Sequence, residues 1–455
     1  MVYNRVARVS EQKSVLIVTP YFAPQSHAAV FRAYKLAKSL PKYGWKPYVL
    51  TTDTNYLYNE DPGLLDELPK SVEIHRARYI EPTARGLRMA LGGRDRSFAK
   101  LKSEQGLGDN VRVESNGNIQ KPSLYRGLLD RWIHVPDAYW TWYGPALKLA
   151  KKVVQENKIP IVYTTCLPYT CNQIGIKLKD FGCRWLADFR DPPTYSQTTS
   201  SRFDAVYLKQ REIERQTYKR ADIITGLSSS YSSIFYDMYR AQSVHFIPTG
   251  IDEELLKKPT LIDIPKYPYI VFAGEFLEQY DDSFFEVFAS ALQDDEVRLK
   301  NVKLLFVGQL TLNQKRTKAF VKKFKLTNSV EYMDHMPQQN LYKIIKGAVA
   351  AVLIPGRNTF WWTNFAKMVD FIGLQVPVLA ILPDPSEART QLSKAGLGIF
   401  LDHTKESQVQ KIKETILNSK GMISPQDSAC EQYLSSNMTK SFVTLFEKML
   451  NSKAS

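Results

Sequence analysis

Asp188, Arg190 and Asp191 fall within four residues of one another, in the stretch LADFRDPPTY at 186–195. A carboxylate beside a guanidinium stays ionised and well oriented. Such a cluster can hold sugar hydroxyls, or stabilise charge on a sugar and its leaving phosphate. The same residues can equally form a structural ion pair that locks a loop. Pro192 and Pro193 follow at once. They bar immediate helix entry and fix a loop there.

The elements around this cluster set where it must lie. VLIVTPYF at 15–22 is a short apolar run rich in β-branched residues, which suits a strand buried on both faces. HAAVFRAYKLAKSLPKYGW follows with Val30, Ala33, Tyr34, Ala37 and Leu40 at helical spacing, then PYVLTT as a second strand. Strand, helix, strand implies a parallel sheet. The unit recurs through IPIVYTTC, CRWLADF, DIITGLS and SVHFIPTG, and defines an α/β domain over 14–252. A Pro- and charge-rich linker follows. YIVFAGEF, VKLLFVGQ, SVEYMDHM, AVAAVLIPG and VPVLAIL then alternate with helical patterns in a second α/β domain over 268–430. A final helix over 431–452 is placed to pack back on the first domain. The expected fold is therefore α/β: two Rossmann-like, doubly wound parallel-sheet domains facing a cleft. Ligands of such sheets bind beyond the carboxyl ends of the strands. Asp188, Arg190 and Asp191 stand at one such end.

Composition narrows the class. The 455 residues are 44% hydrophobic and 24% charged, ordinary for a globular protein of two or three cores. The net charge of +15 implies an anionic partner: nucleic acid, a membrane surface or phosphorylated small molecules. Cys166, Cys171, Cys183 and Cys430 form no CxxC pair and have no His at ligand spacing, which argues against structural zinc and suits a reducing compartment. No signal peptide or membrane span is read from the sequence, so the expected location is the cytoplasm, with peripheral contact at the inner membrane face. That contact falls to the basic insertion at 76–131, with 12 Lys and Arg against 6 Asp and Glu. No recognised nucleic-acid module appears.

Taken in order, the motifs resemble those of GT-B glycosyltransferases, in particular a GT4-like group with a DFRDPW-type element. This chain reads DFRDPP. YFAPQSHAAVFRAYKLAKSLPKYGW resembles that group's opening strand, loop and helix. RWIHVPDAYWTWYGPALKLAKKVVQENKIPIVYTTCLPYT, RADIITGLSSSYSSIF, VHFIPTGIDEELL and KMVDFIGLQVPVLAI resemble its later elements. The resemblance spans most of the chain. It implies a hexosyltransferase-type enzyme that moves a sugar from a nucleotide-sugar donor, held by the second domain, to a saccharide or lipid-linked acceptor, held by the first. It implies cell-surface polysaccharide synthesis, retention of anomeric configuration, and no metal or other cofactor, with cations and helix N-termini neutralising the leaving diphosphate.

The resemblance also assigns residues. Arg190 and Asp191, with Asp188, stand at the reaction centre. Lys367 addresses phosphate and Asp370 the ribose; three residues apart, they share a helix face, and a surface ion pair between them is the bland alternative. Thr363 and Asn364 precede them at the expected helix start, and Gly274 permits close backbone approach. Arg357 is expected to add positive charge. Ser26, His27 and Ala28 form a loop for acceptor or phosphate. Trp132, Trp140, Trp142, Trp361 and Trp362 offer rings that stack on sugar or fill core. Two positions depart from the pattern: Trp362 stands where a Glu belongs, and Glu275, Glu278, Asp281 and Asp282 follow the second domain's first strand where an Arg or Lys is usual. A catalytically silent GT-B protein that binds a glycan or partner therefore stays open, as does a sugar-nucleotide 2-epimerase.

Overall fold

The computed structural model describes residues 13–452 apart from 54–59, 92–133, 197–204, 241–243, 260–261, 279, 355–360 and 403. Arg357, Trp132 and most of the basic insertion lie outside the described residues. The chain divides into two compact units. The first holds Met1–Leu227, Tyr231–Phe246 and Thr439–Ser455; the second holds Ser228–Ser230 and Ile247–Met438.

The first unit is built on β1 (Ser14–Val18), β2 (Lys46–Thr52), β3 (Glu73–Ala77), β4 (Ile161–Cys166), β5 (Arg184–Phe189), β6 (Ile223–Gly226) and β7 (His245–Phe246). Their order is β3-β2-β1-β4-β5-β6-β7, and every pairing is parallel. All five residues of β1 are buried, as the unbroken apolar run requires of a central strand. Helix Phe31–Ser39 covers the sheet with Ala33, Tyr34, Leu36 and Ala37 buried. Gly44, left-handed at φ 75°, ends the following 3-10 turn by donating to Leu40 and Pro41. Phe442 and Phe446, on helix Ser435–Asn451, pack against Tyr163 and Trp45 with ring centres 5.4 and 5.3 Å apart.

β3 was not read from the sequence. As an edge strand it buries only Ala77, so EIHRA carries no apolar run. Ion pairing of Lys46 with Glu73 at 2.5 Å and stacking of Tyr48 on His75 fix it instead. The stretch 76–131 thus begins inside the sheet, and continues through a short helix Ala84–Ala90 that exposes Leu87.

The second unit is built on β8 (Tyr269–Ala273), β9 (Lys303–Val307), β10 (Val330–Met333), β11 (Ala350–Leu353), β12 (Val378–Ala380) and β13 (Gly398–Phe400), in the order β10-β9-β8-β11-β12-β13. Every pairing is again parallel. Successive β8 residues go to opposite faces. Tyr269, Val271 and Ala273 join one apolar core; Ile270 and Phe272 join the other. Each such aliphatic or aromatic side chain contributes about 1.5–3 kcal/mol by leaving water. β13, also missed in the sequence, has three residues with one fully buried, too short for a periodic signal. Among the described residues no helix is long and apolar enough to cross a membrane.

Candidate functional site

In the first sheet the connections leave β1 and β4 in opposite directions along the strand order, which makes the gap between their carboxyl ends the switch point where such sheets bind ligands. Arg190 stands there, immediately after β5. Its Nη1 donates to the Ala29 carbonyl at 3.1 Å, in the loop after β1, and its Nη2 donates to the Leu167 carbonyl after β4. Its main-chain N–H donates to Cys166 at 3.0 Å, and its carbonyl accepts from the Tyr231 hydroxyl at 2.9 Å. The guanidinium lies over the Tyr21 ring, 5.7 Å from its centre. One side chain thus ties three loops together.

Asp191 has a different character. It is exposed and, among the described residues, has no hydrogen-bond partner. Desolvation by the surrounding protein raises its carboxyl above the usual range, and the Arg190 charge acts the other way. Among the described residues it is a carboxylate without a partner, beside a fixed cation.

Asp188 is unlike both. It is fully buried, and its two oxygens take Arg32 Nε and Nη2 at 2.7 Å each, the Tyr163 hydroxyl at 2.8 Å and the Thr225 hydroxyl at 2.6 Å. Burial pulls the Arg32 guanidinium down, but the charge and hydrogen bonds of Asp188 outweigh it and the net shift is upward. Every acceptor direction of Asp188 is used inside the unit. The triad seen in sequence therefore separates into an internal anchor, a brace and a free acid. Arg32, Tyr163 and Thr225 were not singled out. The sequence offered no signal that sets Arg32 apart, since Lys35 is buried on the same helix.

A second anchor also escaped the sequence reading. Glu214, on helix Ala205–Arg220, is buried and accepts from the Thr194 main chain at 3.1 Å, the Tyr169 hydroxyl at 3.0 Å, the Tyr239 hydroxyl at 2.6 Å and the Thr194 hydroxyl. Burial raises its carboxyl; the donors around it oppose that shift. Through Thr194 it holds the turn just past Asp191.

The loop of Ser26, His27 and Ala28 precedes helix Phe31–Ser39, whose first turn no side chain caps. His27 Nε2 lies 3.2 Å from Gln25 Oε1, and its ring meets Tyr21 edge-on at 5.0 Å. Ser26 is half-buried and Ala28 exposed. Trp142 is core, whereas Trp140 is 45% exposed.

The second sheet has its switch point between β8 and β11, where two of the predicted residues, Gly274 and Lys367, meet. Gly274 follows β8 at φ 105°, a conformation that favours glycine. A Cβ on Gly274 would come within 2.7 Å of Lys367 Cε and 3.1 Å of its Nζ. Lys367 lies in helix Ala366–Gly373, which follows β11, and its Nζ sits 4.2 Å from the centre of the Phe272 ring. Burial brings its amine down to about 8, with the Glu275 charge acting upward. No ion pair joins Lys367 to Asp370. The Asp370 carboxylate instead lies beside the Tyr342 hydroxyl, which is raised by burial first and then by that charge.

The helix begins at Ala366, two residues after Asn364: Phe365 is its N-cap, and no side chain caps it. Its first main-chain N–H groups therefore stay available at a positive helix end. Asn364 lies beside the Tyr433 hydroxyl, and Thr363 is half-buried just before it. Trp362, in place of a Glu, is 7% exposed; Trp361 is 39% exposed.

The acidic run after β8 does not stand unpaired. Arg316, on helix Leu310–Lys323, binds Glu275 at 2.5 Å and reaches Glu278 at 3.7 Å, and it donates to the Phe276 carbonyl at 2.9 Å. Lys323 binds Asp282 at 2.6 Å, and Asp281 accepts from the Ser283 hydroxyl. Asn313 takes the Phe276 N–H at 2.8 Å and donates to the Gly274 carbonyl at 3.0 Å. Helix Leu310–Lys323 thus clamps the turn from both ends. Arg316 and Asn313 were invisible in the sequence because they lie some forty residues from the turn they hold.

Two parallel-sheet, Rossmann-like units of seven and six strands define the GT-B class of fold. Solved structures share it along nearly the whole chain. The sucrose-phosphate synthase of Thermosynechococcus elongatus is 11% identical, covers 97% of this chain and 100% of its own, and superposes with a TM-score of 0.57. HepE of Anabaena, solved in complex with UDP-glucose, is 12% identical over 96% and 99% of the two chains, with a TM-score of 0.55. WaaG, a glycosyltransferase involved in lipopolysaccharide biosynthesis, is 13% identical over 96% and 98%, with a TM-score of 0.52. At these identities the likeness is one of fold. No family model matches the chain, and no curated protein matches it in sequence.

Proposed function

We propose that the chain is a glycosyltransferase of the GT4-like kind, which binds a nucleotide-sugar donor at the β8–β11 switch point and an acceptor at the β1–β4 switch point. The observation that carries the reading is the meeting of Lys367 with Gly274 at an uncapped helix N-terminus, with Asp370 one turn on. A free ammonium and free N–H groups suit a diphosphate. The Asp370 carboxylate suits vicinal hydroxyls such as those of ribose. Asn364 and Thr363 sit at the same helix start, and Arg357 is proposed to add charge from the segment before it. Solved neighbours bound to UDP-glucose and to UDP-2-fluoro-glucose are consistent with such a donor.

In the first unit, Asp191 and the braced Arg190 would face the acceptor and the reacting sugar. Asp188 acts behind them, holding the end of β5. The Ser26–Ala28 loop and its helix N-terminus would receive acceptor hydroxyls or phosphate. Transfer with retention, without a metal, requires cations to offset the leaving diphosphate; Lys367 is the described residue proposed for that role. A saccharide or lipid-linked acceptor in cell-surface polysaccharide synthesis suits the basic stretch 76–131, and the exposed Leu87 beside Arg88 suits peripheral contact with an anionic membrane. The silent reading keeps one observation in its favour: Trp362 and Glu275 replace a family carboxylate and a family cation. Assay of sugar transfer and donor hydrolysis separates the two. Release of nucleotide from a bound nucleotide sugar supports the enzyme, and binding without release supports the silent protein.

A further inference from the structure

We propose that Asn313 is a positioning residue for the donor site: it fixes the Gly274–Phe276 turn, which forms one wall of the seat in which Lys367 lies. The inference rests on the donor reading only for what the amine does there.

Lys367 depends on its walls. Among the described residues its amine makes no hydrogen bond and no ion pair. Two surfaces set its place. One is the Phe272 ring, whose centre is 4.2 Å from Nζ. The other is the Gly274 backbone, so near that a Cβ there would stand 2.7 Å from Lys367 Cε. By itself the second surface is a loose one. Gly274 sits at φ 105°, and glycine loses more backbone freedom on folding than any other residue. A wall built on it needs fixing from outside the turn.

Asn313 supplies that fixing. It lies in helix Leu310–Lys323 and is 1% exposed. Its Nδ2 donates to the Gly274 carbonyl at 3.0 Å, and its Oδ1 accepts from the Phe276 N–H at 2.8 Å. One amide group thus spans the turn and joins its two main-chain ends. Asn is a poor helix former, so these two bonds to a distant segment are what the residue contributes at its position. The Gly274 N–H donates to Val307 at 2.6 Å, and Gly308 follows at once. A Cβ on Gly308 would lie 2.5 Å from the Gly274 carbonyl oxygen and 3.2 Å from Asn313 Nδ2. The turn therefore meets Gly308 and Asn313 through its carbonyl, and Lys367 through the place a Cβ would take. Displacing the first contact moves the second.

A role confined to stability lowers only the unfolding temperature. Positioning changes the amine itself. Burial brings the Lys367 amine down to about 8, so a loosened wall admits water and raises it toward the ordinary lysine value of about 10.4.

The test is the pH profile of Lys367 acylation by an N-hydroxysuccinimide acetate, followed by peptide mass spectrometry on the full chain without nucleotide. The wild-type midpoint is expected near 8. Asn313→Ala should raise it by at least about one unit, which is about tenfold less neutral amine at pH 7. Gly308→Ala should raise it as well, by pressing on the Gly274 carbonyl with the Asn313 amide still present. The two variants act by different routes, so misfolding of one leaves the other to decide. Ile412→Ala, which removes a buried side chain from helix Lys405–Asn418 of the same unit, should lose stability and keep the midpoint. A wild-type midpoint near 10.4, an unmoved midpoint in the folded variants, or an equal rise in Ile412→Ala overturns the proposal. Loss of the fold in both turn variants also overturns it, by making the turn a requirement of the fold and not of the amine. The result stands whether or not a nucleotide sugar binds; protection of Lys367 by added UDP examines the donor reading by itself.

Discussion

Replacing Asp188 by Asn removes one charge from a bidentate pair whose partners are 0% and 3% exposed. Arg32 stays, buried, without its counter-charge. Deleting one partner of a buried pair costs about 3–5 kcal/mol. Asn keeps one carbonyl for the Tyr163 or Thr225 hydroxyl, so the lower end, about 3 kcal/mol, is expected. Against a domain stability of about 5–15 kcal/mol this is a large loss. Arg32→Met should cost a similar amount, because Asp188 is then the stranded charge. Arg32→Met/Asp188→Asn strands neither, and should be more stable than the sum of the singles by at least about 2 kcal/mol. Urea unfolding of the full chain, read by hydrogen exchange in peptides of helix Phe31–Ser39, reports the first unit separately from the second. Additive single effects, or losses below about 1 kcal/mol, would refute the view that this pair anchors the end of β5.

Asp370→Ala should abolish UDP binding by calorimetry while leaving the unfolding temperature of the second unit within a degree or two; unchanged affinity would remove Asp370 from the site. UDP affinity of the wild type should weaken as pH rises through about 8, because Lys367 loses its proton there; a flat profile from pH 6.5 to 9.5 would contradict a role for its charge. Gly274→Ala should cost about 1–2 kcal/mol in backbone strain and displace the Lys367 side chain, so that UDP affinity falls in a protein that still folds. Glu387 is depressed against its burial by the Ser230, Ser229 and Gln391 donors. Its contribution to the second unit is therefore present above the unfolded carboxylate pKa of about 4.3 and lost as pH falls through the lower folded value; Glu387→Gln should flatten that acid limb of the stability curve.

The parallel sheets were legible because buried strands such as VLIV and YIVFA are unbroken apolar runs. β3 and β13 were not, being edge strands with a single fully buried residue each. Lys367 and Gly274 were legible separately, one from motif and one from glycine's freedom, but their contact was not. It joins positions 93 residues apart through the adjacency of β8 and β11. The DFRD cluster was located at its strand end, yet its division of labour depended on partners elsewhere. Only tertiary packing delivers Arg32 to Asp188 and Ala29 to Arg190. The acidic run after β8 looked hostile to a diphosphate because Arg316 and Lys323, its counter-charges, belong to a helix forty residues on.

A thermal-shift panel of nucleotide sugars, run on the wild type, Lys367→Ala and Asp370→Ala, tests the donor site most directly. The account predicts that at least one compound raises the unfolding temperature of the wild type, and that neither variant responds to it. A panel with no response, or an equal rise in all three proteins, would contradict it.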